Sequence, residues 1–168
     1  MVQGIGDLNK KVAEIPKRIE AAAKKAMEAG ADELVSMMKR LVPVDSGDLR
    51  DSIGWTYGDA PAGAKVVSQS TADIRGLKIT VYAGSEKAYY AAWLEFGTAP
   101  HNVAKGGGTK AGVKQLAAGG GNAHPGSSPQ PFFFPSYRAL RKKIRTRIAR
   151  ETRKAMRFQG PPTQEEAD

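Results

Sequence analysis

The sequence has no cysteine, only two histidines and no long apolar run. Without cysteine, neither a disulfide framework nor a thiolate metal site can form. No apolar stretch approaches the roughly 18 residues that indicate a membrane span. The first residues, MVQGIGDLNKK, also lack the apolar core of a secretory signal. We therefore expect no membrane association, and a reducing compartment is compatible with this composition.

Groups of residues that support catalysis are also missing. His101 and His124 both fall in a Gly-rich stretch, which offers no rigid support for a catalytic imidazole and makes a poor two-ligand metal site. GGGTK at residues 106–110 lacks the spacing of a phosphate-binding loop. We predict no catalytic residue, no metal site and no cofactor, so the chain is not expected to be an enzyme.

The pattern of apolar residues predicts an α+β fold. Spacings of three and four over residues 7–42 predict a long N-terminal helix that ends at Pro43. Pro16 either kinks this helix or begins a second one. Runs rich in β-branched residues at 53–57, 64–71 and 77–84 predict three strands of a small antiparallel sheet.

The net charge of +9 is concentrated near the end of the chain, where residues 135–158 hold ten basic residues and one acidic residue. Apolar residues in this segment share one face of a predicted helix. The cations are either a solvated face or a surface for DNA or an acidic partner. The aromatics lie on the core side and no helix-turn-helix spacing occurs, so any DNA contact would involve phosphates without sequence choice.

A long segment between the sheet and this basic helix is rich in glycine. Residues 99–130 hold eight glycines, three lysines and no acid. Such a composition buries too little apolar surface to order itself, and long loops in compact domains are usually functional or disordered. We predict one domain over residues 1–158, with a flexible Gly-rich arm at 98–130, followed by a flexible acidic tail at 159–168.

The aromatic stretch YYAAWLEFGT, residues 89–98, stands directly before this arm. Tyr89, Trp93 and Phe96 fall on one face of a short helix, and Tyr90 and Leu94 form an adjacent pair. From the residues alone, we expect these aromatics to fill the space between helix and sheet. The acid that follows Leu94 is either on the solvent face or paired.

Three separated segments carry a resemblance to a known family. They are VPVDSGDLRDSI at residues 42–53, YYAAWLEFGT at 89–98 and PQPFFFPSYRAL at 129–140. In this order they resemble the tail-component family of lambda-like siphophages, also called tail-completion or head–tail joining (neck) proteins. The matching positions are Pro43, Val44, Asp45, Ser46, Gly47, Leu49, Ser52, Ile53, Tyr90, Ala91, Glu95, Phe96, Gly97, Thr98, Pro129, Pro131, Phe132 and Pro135. Ser136, Phe134 and the long segment between Gly97 and Pro131 depart from the family pattern.

The resemblance implies helices packed on a small antiparallel sheet and a structural virion protein without enzymatic activity. It implies a homo-oligomeric ring, with six copies the expected number, which completes or terminates the tail and joins it to the DNA-filled head. The expected partners are its own copies and the neighbouring neck, connector and tail-tube proteins. The expected location is the virion, and the host cytoplasm during assembly. The alternative is a sequence-independent DNA-binding protein that uses the basic C-terminal helix.

Two sets of candidate site residues follow. The candidate subunit or partner contacts are Asp45, Gly47, Leu49, Arg50, Tyr90, Trp93, Glu95, Phe96, Gly97 and Thr98. The candidate residues facing the channel or its DNA are Lys105, Lys110, Lys114, Arg141, Lys142 and Arg145. The Gly-rich arm either orders on a neighbouring subunit or projects toward the channel, where its lysines would meet the DNA.

Overall fold

The computed structural model of the protein describes residues 5–62, 64–74, 77–104, 109–119 and 121–157. Its helices and strands, in chain order, are α1 (Ile5–Leu41), α2 (Asp48–Asp51), β1 (Gly54–Tyr57), β2 (Lys65–Ile74), β3 (Leu77–Ala83), α3 (Ala91–Phe96), β4 (His101–Val103), α4 (Lys110–Ala117), β5 (Asn122–His124) and α5 (Phe133–Met156). The predicted α+β fold is confirmed, with long helices near both ends of the described chain and antiparallel strands between them.

The two long helices, α1 and α5, pack against each other. α1 runs through Pro16 as one helix, so this proline does not begin a second one. Small and apolar residues spaced three and four apart, from Ala23 to Met38, form its buried stripe. Gly30 lies at a close contact with α5, because a Cβ atom there would be 2.8 Å from Cγ2 of Ile144.

A three-stranded antiparallel sheet lies beside this helix pair, with β3 between β1 and β2. The three strands agree with the three runs, at residues 53–57, 64–71 and 77–84, that the sequence predicts as strands. β1 is tied to α1 by side chains, because Trp55 Nε1 donates to Asp32 Oδ1 at 2.7 Å and the Tyr57 hydroxyl donates to Glu28 Oε1 at 2.6 Å. Desolvation, and then the bond to Glu28, raises the pKa of Tyr57 to about 12.

The apolar core joins all three segments that carry the family resemblance. Its buried members include Met27, Leu34, Met38, Val42, Leu49, Ile53, Ile79, Val81, Ala88, Ala91, Phe132 and Phe133. Partly buried residues of α5, such as Ile144 and Ile148, pack against this cluster, as their helical spacing predicts. The three segments are therefore parts of one packed domain.

The Gly-rich segment is not the structureless loop that its composition predicts. β4 and β5 pair as an antiparallel ribbon, and α4 lies in the connection between them. Both strands are exposed along their whole length, so backbone hydrogen bonds and a local helix order this segment without a core of its own. The composition argument considered apolar burial alone and missed this possibility. The predicted acidic tail, residues 159–168, lies outside the described residues.

Candidate functional site

The segment PVDSGDLRDSI connects α1 to β1 and anchors itself through its apolar residues. Leu49 and Ile53 are both buried in the core. The Ser52 hydroxyl donates to the Leu49 carbonyl at 2.7 Å and accepts from the Gly84 backbone N–H at 3.0 Å, which fixes α2 to the end of β3. The acidic side chains of the segment remain exposed: Asp45, Asp48 and Asp51. The segment therefore presents carboxylates on an anchored turn.

Glu95 is the buried acid of the site, with only 3% of its surface exposed. Its Oε2 accepts the backbone N–H groups of Phe132 and Phe133, each at 2.8 Å, and its Oε1 accepts that of Phe134 at 2.9 Å. These donors belong to the start of α5, where N–H groups lack partners within the helix and a negative charge is favoured. The next residue, Pro135, has no N–H to satisfy.

Glu95 is thus paired, the second of the two alternatives left open by the sequence. It caps α5 from a residue on α3, and α5 has no capping side chain of its own. The geometry adds an internal role, which is to join the aromatic segment to the start of the basic helix.

Thr98 and Ser127 close the base of the ribbon. Their backbone N–H and C=O groups bond to each other in both directions, at 3.0 and 3.1 Å, and their hydroxyl oxygens lie 3.1 Å apart. Gly97 stands immediately before this closure with a φ of 72°, and a Cβ atom there would be 2.5 Å from the Ser127 carbonyl oxygen. A side chain at position 97 would therefore collide with the returning chain.

The aromatic residues of α3 and of the turn before it point to solvent. Tyr89, Trp93 and Phe96 are 54%, 53% and 61% exposed, so the expectation that they fill the core is wrong for these three. The adjacent pair, Tyr90 and Leu94, packs against the core instead and leaves the other stripe outside. Tyr89 and Trp93 form an edge-to-face pair with centroids 5.4 Å apart. The aromatic face, defined here as Tyr89, Trp93 and Phe96, is an apolar surface suited to a protein partner.

A groove of about 170 Å³ lies between the PVDSGDLR segment and α3. It is lined by Pro43, Val44, Asp45, Gly47, Leu49, Arg50, Tyr90 and Leu94, and it is called the α2–α3 groove below. The structure therefore brings together five of the predicted contact residues, from two distant parts of the sequence. Pro43, Val44 and Leu94 also line this groove but are not among the predicted contacts, although Pro43 and Val44 are positions that match the family pattern.

The remaining predicted contacts lie around the start of the ribbon. Trp93 and Thr98 line a second hollow together with Ala99 and His101. Phe96 contacts Phe134 at the start of α5, with centroids 5.8 Å apart. Predicted contact residues other than buried Glu95 thus line two hollows or lie beside them.

The cations of α5 differ in whether they form ion pairs, and one of them, Arg150, pairs with Glu151 of the same helix at 3.0 Å. Lys143 and Arg147 pair with Glu33 of α1, the latter at 2.7 Å, and these hydrogen bonds lower the pKa of the Glu33 carboxyl. Arg141, Lys142 and Arg145 are exposed and have no ion pair within the part of the chain that the structure describes. The predicted arm lysines Lys110 and Lys114 are also exposed, and Lys105 lies outside the described residues.

The two histidines face each other across the ribbon, with ring centroids 5.0 Å apart. Among the described residues no three or more His, Cys, Asp or Glu side chains are grouped as metal ligands would be. Within the same residues, no helix is both long enough and apolar enough to cross a membrane.

An exposed aromatic face beside a mostly apolar groove is typical of the class of proteins that assemble with other macromolecules. The chain belongs to the phage family described as "Bacteriophage HK97-gp10, putative tail-component", whose model matches residues 6–97. The match ends at the glycine that precedes the ribbon. No curated protein and no solved structure matches the chain.

Membership of this family makes the chain a structural phage tail protein, and thus a component of the virion that contacts other phage structural proteins. The family match gives no support to the alternative of a sequence-independent DNA-binding protein.

Proposed function

We propose that the chain forms a ring at the phage neck or upper tail, which completes or terminates the tail and joins it to the DNA-filled head. Six copies are the expected number. The observation that carries this proposal is the aromatic face beside the α2–α3 groove, since a single chain leaves both uncovered. Exposed apolar patches next to polar rims are typical of protein–protein interfaces.

The contacts between copies are proposed to involve the predicted residues on this surface. Trp93 and Phe96 offer large aromatic side chains, the residue type that contributes most to interface energy. Asp45, Leu49, Arg50 and Tyr90 line the neighbouring groove. Glu95 contributes indirectly, because it fixes α3 to the start of α5 and so sets the position of the aromatic face.

The exposed cations are proposed to face the channel through which DNA passes. Arg141, Lys142 and Arg145 are spaced three and four apart on α5, so they lie on neighbouring parts of one helix surface. A stripe of this kind favours phosphate contact without base readout. We propose no function for this DNA contact apart from that of the ring.

The test is a prophage with an early stop codon in this gene, examined by electron microscopy of induced lysates. We expect DNA-filled heads that lie apart from tails, and joining should return when the wild-type chain is supplied in trans. Separate tails of normal length would assign a joining role, and overlong tails would assign tail termination as well. Intact virions from the stop-codon prophage would refute the proposed function.

A further inference from the structure

The helix α4 presents one apolar residue between two cations. It begins after Thr109, whose hydroxyl accepts the Gly112 backbone N–H at 3.2 Å. Lys110, Val113 and Lys114 share a helix face by their spacing, and Val113 is 56% exposed. Gly112 is buried, so the helix has an inner side and this outer face is turned to solvent.

The α2–α3 groove has the complementary character. Its lining combines apolar residues, including Val44, Leu49 and Leu94, with the carboxylate of Asp45. Asp48 is exposed in the same segment. Arg50 is the basic residue in the groove, and its Nε lies 3.8 Å from the Asp51 carboxylate, so its charge is partly balanced.

The same chain does not fill its own groove. Val44 is 55% exposed on the groove and Val113 is 56% exposed on α4, so each leaves about half of its surface uncovered in the isolated chain. A two-stranded ribbon such as β4–β5 is only marginally stable alone and gains stability by packing on another surface. Both strands that connect to α4 are exposed, which leaves this segment accessible to a neighbouring chain.

We infer that α4 of one copy docks in the α2–α3 groove of a second copy. Val113 covers the apolar part of the groove, and Lys110 and Lys114 lie beside Asp45 and Asp48 of that copy. This inference rests on the proposed ring and names the segment by which one subunit holds the next. Because the arm has lysines and no acidic residue, its approach to the turn that carries Asp45 and Asp48 is favoured electrostatically.

The absence of cysteine allows a direct test by engineered disulfides. Two differently tagged full-length chains are mixed and mildly oxidised, one with Val113→Cys and the other with Val44→Cys. We expect a disulfide-linked heterodimer on a non-reducing gel, since a bridge forms only where two Cβ atoms approach closely. The matched control replaces the Val44→Cys chain by one with Ala139→Cys, an exposed position on α5.

Charge reversal tests the polar part of the contact. Lys110→Glu with Lys114→Glu, on the Val113→Cys chain, should lower the heterodimer yield about tenfold, because like charges then face each other. Asp45→Lys with Asp48→Lys on the Val44→Cys chain should restore the yield. These residues are exposed, so we expect the variants to keep the fold, and circular dichroism checks it.

The crosslinking and stop-codon experiments test the docking of α4 and the proposed function independently. An oligomer without the Val113–Val44 crosslink would overturn the docking of α4 and leave the ring intact. A bridge within a chain that carries both cysteines, in preference to one between chains, would also overturn it. The crosslink together with normal virions from the stop-codon prophage would uphold the docking and refute the proposed function.

Discussion

At the scale of single residues, Glu95 decides how two distant segments meet. Three backbone N–H groups at the start of α5 converge on its two oxygens, and Pro135 removes the fourth donor of that helix end. Every donor of the first turn is therefore satisfied by one carboxylate. A buried acid is tolerated here because its hydrogen bonds and the helix dipole offset the loss of water.

Replacing Glu95 with Ala should lower the free energy of unfolding by about 3 kcal/mol, because three N–H groups then lack their acceptor. Glu95→Gln should cost less, since one acceptor oxygen remains. Urea unfolding measures both changes. The control is Glu86→Ala at an exposed position, which should change stability by less than about 0.5 kcal/mol. Equal stability of Glu95→Ala and the control would contradict the capping role.

The sequence identified Glu95 as unusual but could not find its partners. An acid between Leu94 and Phe96 indicates either exposure or pairing, and nothing local decides between them. The donors lie 37 to 39 residues further along the chain, beyond the ribbon. Similarly, the spacing of Tyr89, Trp93 and Phe96 correctly defines one helix face, but burial depends on which face of α3 meets the core.

At the scale of elements, the contact between α1 and α5 combines close packing with an ion-pair cluster. Gly30 allows Ile144 to approach the α1 backbone. One turn away, Glu33 binds Lys143 and Arg147 of α5. The cluster uses two of the ten basic residues of the last segment, and Arg150 pairs with Glu151, so part of that charge is balanced within the fold.

The Glu33 cluster should make stability depend on pH on the acid side. Its hydrogen bonds with Lys143 and Arg147 hold the folded-state pKa of Glu33 below the ordinary value of 4.5. The stabilisation is thus present above pH 4.5 and is lost as the pH falls through the lowered pKa. Glu33→Gln should cost about 1 kcal/mol at neutral pH and nothing in strong acid.

Denaturant unfolding at several pH values measures this difference. Glu20→Gln, at an exposed site on the same helix, removes the same charge and serves as the control, since Glu20 has no ion pair among the described residues. If the difference in free energy of unfolding between wild type and Glu33→Gln stayed constant across the acid range, the ion-pair cluster would not be the source of the pH dependence.

Helices and core strands could be predicted because their apolar residues recur at the periods that burial demands. α1, the three strands of the sheet and α5 all carry such a pattern. The ribbon and α4 do not, because exposed strands need no apolar alternation and are held by backbone pairing. The pairing partner of a short polar strand is set by the closure of the chain at Thr98 and Ser127, which composition does not reveal.

At the scale of the whole molecule, the aromatic face extends onto the start of α5 through the contact of Phe96 with Phe134. The proposed assembly surface and the core thus come from the same segments: inward residues such as Leu49 and Phe133 form the core, and outward residues form the candidate interface. This division explains how the same short motifs can serve both folding and association.

Removing the aromatic face should therefore impair assembly without unfolding the chain. Trp93→Ala with Phe96→Ala should raise the dissociation constant of the oligomer by roughly 100-fold or more, as expected when interface aromatics are truncated. Mass photometry over a dilution series measures it. The control is Val12→Ala, an exposed apolar residue about 45 Å along α1 from Val42. Unchanged assembly of the double variant would place the interface elsewhere.

The closure at Thr98 and Ser127 has a consequence for how such a protein can diversify. The chain leaves the domain and returns to it within hydrogen-bonding distance, so residues 99–126 form an insertion whose two ends occupy one point of the fold. Its length and sequence can change without altering the path of the core, which also makes it a suitable site for grafting a tag or a foreign peptide. Related chains could thus differ in the partner that this insertion contacts and still share the same domain fold.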